Sequence, residues 1–575
     1  MSTIGKARSW IEMDPDPETR RELQALVDQE DVAALEERFA GRLEFGTAGL
    51  RGLLGAGPSR MNRVTVARAT AGLCAWLKRE VPDAASRGIC VGRDARPKSD
   101  IFERDVIEIA TGAGIPIWSF SELVPTPVLA FSVLELRAAG GVMITASHNP
   151  PGYNGYKVYW ENGAQIIPPN DQGIADEIER CPSLEQIPRL SVEEARSRKL
   201  LRDADDLRQH YVERIAAEVR DTTPGAELRI AYTALHGVAE DTFRRVLARA
   251  GFADVHSVSE QARPDGSFPT VAFPNPEEPG AMDRVLALAN VVNADLAIAN
   301  DPDGDRVAVA VRGPRGFESL SGNDIGVLLA NDLLERHLGS GQPVVISTLV
   351  SSPMLGPVAA SYGARWEQTL TGHKWIQNRA LELEEEGYVY LFGYEEALGY
   401  APSSAVRDKD GISSALLLAD IASRLKAREA TLLDARDQLW RKHGFFADRQ
   451  VSVRFESVDA QARMNRIVDR CRESPPLAIG GQAVLRMLDL GRQLQWTPLA
   501  VSPLIGRAAS NLLVFELQGG HRAMMRPSGT EPKLKYYFYA AAPARLSHNL
   551  SEAREKSVAV LERMVDDLVS QSNDC

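Results

Sequence analysis

The segment N-D-P-D-G-D-R, residues 300–306, sets Asp301, Asp303 and Asp305 within five residues, between two apolar runs. Carboxylates packed so closely repel one another unless a hard cation balances them, and an all-oxygen ligand set suits Mg²⁺. An EF-hand loop does not fit the spacing, because its glycine would fall on Arg306 and its closing glutamate on Arg312. The plain alternative is an acidic surface turn, which Asp and Gly also favour.

In G-V-M-I-T-A-S-H-N-P, residues 141–150, an apolar run stops at small and polar residues, and Pro150 is followed by Pro151. Ser147 is expected on a strand-exit loop facing a solvent-filled cleft, where a serine can act as nucleophile or carry phosphate. An ordinary turn is the alternative, and the flanking glycines of an esterase elbow, G-x-S-x-G, are absent. In G-Y-E-E-A-L-G-Y, residues 393–400, Glu395 and Glu396 point to opposite sides of an extended chain, so one can accept from sugar hydroxyls while the other stays structural. In R-P-S-G-T-E-P-K-L-K, residues 526–535, Arg526 offers a planar fork, Ser528 and Thr530 offer hydroxyls, and Gly529 lets backbone amides approach an anion. This reads as a phosphate cradle or as a Pro/Gly turn; no Walker loop is present. Smaller cationic pieces beside glycine are Arg51 in F-G-T-A-G-L-R-G and, after Gly372, His373 and Lys374 in T-G-H-K-W. A dinucleotide fingerprint fails at Ile117, where the third glycine after Gly112 and Gly114 should stand.

A serine, an aspartate trio and separate phosphate-binding cations suggest phosphoryl transfer, in which a protein mainly positions groups and balances charge. If Ser147 carries phosphate, Mg²⁺ on the aspartates would polarise it, and the Arg526 loop would hold a second phosphate on the substrate. Two phosphate sites imply a mutase.

The elements that must position these residues follow an α/β pattern. With 575 residues, 44% hydrophobic and 25% charged, the chain has material for about four domains. Its formal charge of −12 argues against a nucleic-acid partner, and no apolar run approaches the length of a membrane span, so a cytoplasmic protein is expected. The five cysteines are scattered and read as reduced thiols. Residues 18–40 have the spacing of one amphipathic lead-in helix. Helical stretches then alternate with short apolar runs, giving three α/β units over 1–220, 221–322 and 323–447. A different last unit, 448–575, reads as a mixed sheet with helices on one face.

The motifs also resemble the α-D-phosphohexomutase family, which includes phosphoglucomutase and phosphomannomutase. T-A-S-H-N-P, D-P-D-G-D-R, G-Y-E-E-A-L-G and R-P-S-G-T-E-P-K occur in the family's order, with accessory matches in F-G-T-A-G-L-R-G, G-R-D-A-R and T-G-H-K-W. The resemblance implies an α/β fold of four domains around a central cleft, three related α/β units and a C-terminal α+β domain of the TATA-box-binding-protein type. It implies that Ser147 is the phosphoserine, flanked by His148 and Lys157, and that Ser147, Asp301, Asp303 and Asp305 hold Mg²⁺ with Arg306 beside them. Glu395 would take sugar hydroxyls, Gly372, His373 and Lys374 would help select the sugar, and Arg51, Arg526, Ser528, Gly529 and Thr530 would bind substrate. Lys409, in R-D-K-D-G, matches a lysine of glucomutases associated with proton transfer. The implied partner is a small sugar phosphate, with glucose 1,6-bisphosphate as activator and intermediate, and the protein would be a monomer or homodimer. Glucose 1-phosphate leads as substrate. Ala397, where many glucomutases and mannomutases carry serine, makes the sugar loop similar to the branch that includes phosphopentomutase-type and bisphosphate-synthase-type members. Mannose or pentose phosphates, bisphosphate synthesis and, more remotely, a phosphatase remain the alternatives.

Overall fold

The structure is a computed structural model that describes residues 2–45, 49–219, 227–455, 460–504, 509–527, 533–543 and 549–570. It divides into two compact units, Met1–Ile346 with Thr371–Leu432, and Ser347–Leu370 with Leu433–Cys575.

The first unit begins with helices rather than the single lead-in helix expected over 18–40. Thr3–Met13 is followed by Pro17–Asp28 and Val32–Phe39, with a break at Glu30, whose φ is 51°. The polar run D-Q-E-D explains the break, because Asp31 caps the following helix by accepting from the Ala34 amide at 3.0 Å, a local bond that competes with helix continuation. Leu23, Val27 and Leu35 are buried on the expected faces.

Six strands form the first sheet, in spatial order Leu50–Leu53, Tyr153–Trp160, Gly140–Ile144, Ile89–Arg93, Ile117–Ser119 and Leu201–Asp203. Gly140–Ile144 is buried throughout and lies parallel to Ile89–Arg93 and antiparallel to Tyr153–Trp160. A strand covered on both faces reads as a continuous apolar run, which is why G-G-V-M-I shows no alternation. The second sheet runs Gly316–Ser319, Val307–Gly313, Leu296–Asn300, Ile230–Thr233 and Val255–Ser257. Its apolar strands Leu296–Asn300 and Val307–Gly313 are antiparallel neighbours, and the aspartate loop is the connection between them. Further on, Val389–Glu395 pairs antiparallel with Gly399–Ala401, so that the two glutamates fall at the turn of a hairpin.

One helix ties these pieces together. Gly411–Lys426 is apolar on nearly every face, and every residue from Gly411 to Ser423 is buried, as an all-round hydrophobic helix must be. Asp410 caps it, accepting from the amides of Ile412 at 3.0 Å and Ser413 at 2.9 Å. The Gly411 amide donates to the Gly304 carbonyl at 3.2 Å. A Cβ at Gly411 would lie 2.3 Å from the Arg306 carbonyl, so only glycine lets the helix start against the aspartate loop.

In the second unit, the sheet runs Phe445–Arg454, Lys533–Ala542, Arg522–Pro527, Leu513–Leu517, Gln482–Asp489, Leu494–Thr497 and Ala500–Pro503. The mixed sheet expected for this unit is antiparallel at each of these pairings. The helix Leu550–Ser570 packs on its first two strands.

Candidate active site

The loop that leaves Gly140–Ile144 carries Ser147 in the left-handed region, at φ 50°, a conformation that costs a non-glycine residue about 1–3 kcal/mol and must be held by its surroundings. The expectation of an accessible serine is corrected here, since Ser147 is only 2% exposed. Its hydroxyl donates to Asp301 Oδ2 at 2.7 Å and lies 3.1 Å from His148 Nδ1. Asp301 comes from the connection between strands of the other sheet, so the protein folds its chemically most distinctive loops onto each other. That placement answers the inward burial of both groups: each polar atom finds its partner on the opposing loop.

The aspartate loop is fixed by backbone contacts on several sides. The Thr126 amide donates to the Asp303 carbonyl at 2.9 Å, Val238 N–H to the Pro302 carbonyl at 2.8 Å, and Val307 N–H to the Leu398 carbonyl at 3.2 Å. Asp301, Asp303 and Asp305 are buried and each offers an oxygen within 4.8 Å of the others. Lys157 Nζ lies 2.7 Å from both Asp303 Oδ2 and Asp305 Oδ2, and Lys409 Nζ 3.0 Å from Asp305 Oδ2. The Thr126 hydroxyl donates to Asp303 Oδ2 at 2.7 Å. The other oxygens, Asp303 Oδ1 and Asp305 Oδ1, are buried without a hydrogen-bond partner. Buried carboxylate oxygens left open beside a third carboxylate and a serine hydroxyl are a donor set that could hold a hard divalent cation.

The electrostatics follow from burial. Burial, with Asp303 and Asp305 nearby, raises Asp301 well above the usual carboxylate range. Burial would raise Asp305 too, but Lys157, Lys409 and Arg306 outweigh it and hold that carboxyl well below its usual range. For His148, burial and the charges of Arg306 and Arg51 push the imidazole well below its ordinary value, so it is neutral at pH 7. Lys409 is kept above its usual range by Asp305 and Asp408 against the effect of burial. Burial brings Arg51 down to about 10, which still leaves it a cation at neutral pH; its NH1 donates to Asn149 Oδ1 at 2.8 Å.

The sugar-loop candidates meet around the hairpin. Glu395 Oε1 accepts from the Gly372 amide at 2.7 Å, and His373 Nε2 lies 3.1 Å from the Gly399 carbonyl. His373 Nδ1 is buried without a hydrogen-bond partner, and Lys374 Nζ lies 4.0 Å from Asp171 Oδ2. Arg306 reaches Glu277 at 3.7 Å. Arg526 sits on the strand Arg522–Pro527 of the second unit, while Ser528, Gly529 and Thr530 lie outside the described residues.

Several participants escape sequence reading. Thr126 starts the helix Thr126–Glu135, and nothing in T-P-V-L-A marks it as a carboxylate partner. Asp408 accepts from Tyr159 OH at 2.7 Å and Gln165 Nε2 at 2.6 Å and flanks Lys409 at 3.3 Å. Its signal was the acidic residue beside Lys409 in R-D-K-D-G. Arg96, in G-R-D-A-R, holds the backbone of the Ser147 loop.

A nucleophilic hydroxyl against a carboxylate cluster, ringed by fixed cations, defines a phosphoryl-transfer enzyme built on repeated α/β modules. Comparison with known proteins agrees. Residues 42–184, 209–316 and 321–443 match, in turn, the phosphoglucomutase/phosphomannomutase α/β/α domains I, II and III. A Schizosaccharomyces pombe protein named "Probable phosphoribomutase" is 36% identical over 570 residues, covering 96% of this chain and 96% of its own. A Haemophilus influenzae protein named "Probable phosphomannomutase" is 38% identical, covering 84% of this chain and 93% of its own. In fold, the open form of parafusin, a phosphoglucomutase of Paramecium, superposes with a TM-score of 0.68 at 17% identity, covering 92% of this chain and 94% of its own. The chain belongs to the phosphoglucomutase/phosphomannomutase family, with three α/β/α domains and a further C-terminal sheet domain, and is a phosphotransferase of the mutase kind. Among the described residues no helix is long and apolar enough to cross a membrane.

Proposed function

We propose that this enzyme moves a phosphoryl group between the anomeric and terminal hydroxyls of a sugar phosphate by way of Ser147. The observation that carries the reading is the Ser147 hydroxyl at 2.7 Å from Asp301, inside a buried cluster with Asp303, Asp305 and Lys157. In the first half-reaction the bond between Ser147 Oγ and phosphorus breaks as the free sugar hydroxyl bonds to phosphorus, and the proton that hydroxyl loses ends on Ser147 Oγ, which is left as the free serine. A sugar bisphosphate results. In the second half-reaction its other phosphate returns to Ser147, and the product monophosphate leaves with the position exchanged.

Residue roles follow from the contacts. Asp301 fixes Ser147 Oγ at 2.7 Å, and neutral His148, with Nδ1 at 3.1 Å, is the group placed to hold or release its proton. Lys157, Lys409 and Arg306 supply fixed positive charge where negative charge gathers on the transferring group. Because Lys409 stays protonated between Asp305 and Asp408, it acts as a charge and not as a base. Asp301, Asp303, Asp305 and Ser147 would hold Mg²⁺, which when bound supplies Lewis-acid neutralisation of phosphoryl oxygens. Glu395 and the Gly372–Lys374 loop would take sugar hydroxyls. Arg51, held on the Ser147 loop through Asn149, would bind substrate there, and the segment from Arg526 to Thr530 would take the phosphate that is not reacting. The segments 1–220, 221–322, 323–447 and 448–575 would carry the serine, metal, sugar and phosphate loops respectively.

For the sugar, a pentose phosphate is the first choice. A relative that spans nearly the full length of both chains is named for ribose, and Ala397 removes a hydroxyl from the sugar loop. The hexose reading, with glucose 1,6-bisphosphate as activator, is the second, favoured by the relative named for mannose. Coupled turnover of ribose 1-phosphate, glucose 1-phosphate and mannose 1-phosphate, with Mg²⁺ and a catalytic amount of glucose 1,6-bisphosphate, separates them. Fast conversion of ribose 1-phosphate alone supports the pentose assignment, and faster conversion of a hexose reverses it. Release of inorganic phosphate without isomerisation would replace the mutase by a phosphatase.

A further inference from the structure

Arg96 is 3% exposed, and its guanidinium donates to backbone carbonyls. Its NH1 donates to the carbonyls of Pro150 at 2.9 Å and Tyr153 at 3.0 Å, and its NH2 to the carbonyls of Ser147 at 2.6 Å and Asn149. One planar fork thus gathers the backbone of the loop that carries the reacting serine. A lysine could not, because an ammonium has fewer donors and no fixed plane.

The rest of G-R-D-A-R completes the clasp. Asp94 Oδ2 accepts from the Thr145 hydroxyl at 2.6 Å, and Thr145 Oγ1 accepts from the Ser147 amide at 2.9 Å. The same Asp94 oxygen lies 3.3 Å from Arg96 Nε. The Ser147 residue is therefore gripped at its amide and its carbonyl while it sits at φ 50°, a strained backbone that persists only where neighbours over-determine it.

Arg96 is itself backed from the second sheet's module. The Phe268 ring lies 4.9 Å from its guanidinium carbon. Beside it, Gly266 packs so tightly that a Cβ there would lie 2.3 Å from the Ala95 carbonyl. Thr270, two residues after Phe268, is tied by Gln261 Nε2 and by His236 Nε2, each at 2.8 Å, so the platform under Arg96 is anchored in its own module.

We propose that Arg96, seated on Phe268, is the positioning residue of the Ser147 loop, holding Oγ in line for transfer in both half-reactions. This rests on the mutase reading above. It acts through the loop and touches neither sugar nor phosphate, so its removal should lower the rate of the chemical step and leave substrate affinity alone. Misplacement of a reacting group by ~1 Å costs on the order of 100-fold, and that is the kcat loss expected for Arg96→Lys, with KM within about twofold of wild type. Phe268→Leu, which keeps the arginine but removes the ring, should lose about 2- to 30-fold in kcat, the range of a cation–π contact.

The test is steady-state kinetics with the preferred sugar 1-phosphate on both variants. Alongside it, single-turnover transfer from phosphorylated Ser147 is followed by intact mass, and the folded fraction is taken from circular dichroism. The expected result is that the single-turnover rate falls by the same factor as kcat while KM holds. A folded Arg96→Lys protein with wild-type kcat per folded molecule, or a loss carried wholly by KM, overturns the assignment. Should Arg96→Lys fail to fold, Phe268→Leu decides, and a wild-type kcat there overturns it. A wild-type enzyme that turns over no sugar phosphate would instead strike the mutase reading itself, before any variant is compared.

Discussion

Replacing Lys157 by methionine removes the cation that bridges Asp303 and Asp305 at 2.7 Å each, where all of these side chains are at most 1% exposed. The two carboxylates do not lose equally. Asp305 keeps Lys409 at 3.0 Å, whereas Asp303 is left with the Thr126 hydroxyl at 2.7 Å. The loss is therefore that of one buried charge stripped of its partner, worth about 3–5 kcal/mol. The lower end applies, because methionine keeps the stem volume and Thr126 still donates. At about 2–4 °C per kcal/mol for a domain of a few hundred residues, a 3 kcal/mol loss lowers Tm by about 6–12 °C.

The same substitution frees carboxylate oxygens that the ammonium had occupied. A ligand present at about 100 times its Kd returns roughly 2.7 kcal/mol to the folded state, so Mg²⁺ should recover most of the loss. Thermal unfolding after EDTA treatment, with and without saturating Mg²⁺, measures both effects on wild type and Lys157→Met. The metal-dependent rise in Tm should be larger in the variant. A variant as stable as wild type without metal, or one whose Mg²⁺ response is no larger, refutes the reasoning.

Other consequences can be read from single contacts. Glu218 is pushed up to about 7, chiefly by burial with Asp410 adding to it, against the Ser403 hydrogen bond and Arg214. Its folded form thus holds a proton that the unfolded chain releases near the ordinary glutamate value of about 4.3, so stability falls as pH rises from there to the folded value, by about 4 kcal/mol. Glu218→Gln should therefore melt above wild type at pH ~8 and level with it at pH ~4 in a pH series of thermal scans. Gly411→Ala places a methyl 2.3 Å from the Arg306 carbonyl and displaces the aspartate loop; turnover should fall on the order of 100-fold with the protein still folded by circular dichroism. Glu395→Gln weakens a charged acceptor that holds the Gly372 amide at 2.7 Å. Glutamine oxygen can still accept from that amide, so the melting temperature should change little, whereas the charge-assisted bond proposed to a sugar hydroxyl, worth about 1.5–3 kcal/mol, is weakened, and KM for the sugar phosphate should rise on the order of 10-fold or more.

What could be read from the sequence was whatever chemistry is concentrated in one loop. Asp301, Asp303 and Asp305 announce themselves because like charges at that spacing need a reason, and the structure brings them together with Ser147 and Lys157. The apolar runs likewise become strands and the buried helix Gly411–Lys426. Ser147 was expected to be accessible because a strand-exit loop ending in Asn and Pro looks like surface; burial comes from a second loop 154 positions away that closes over it. Thr126, Asp408 and Arg96 gain their importance only from partners distant in the chain, which no local spacing encodes. The break at Glu30 was missed for a different reason: the apolar period continues through it, while the cap at Asp31 competes more strongly.

The central claim is that phosphate resides on Ser147 and passes to the sugar. Wild type and Ser147→Ala are incubated with a sugar bisphosphate labelled in its phosphates, freed of ligand, and then given excess unlabelled sugar 1-phosphate. Wild-type protein should take up label on a peptide containing Ser147 and surrender it to the sugar, while Ser147→Ala stays unlabelled and inactive but folded. Label that is absent from Ser147, or turnover that survives in Ser147→Ala, would contradict the account.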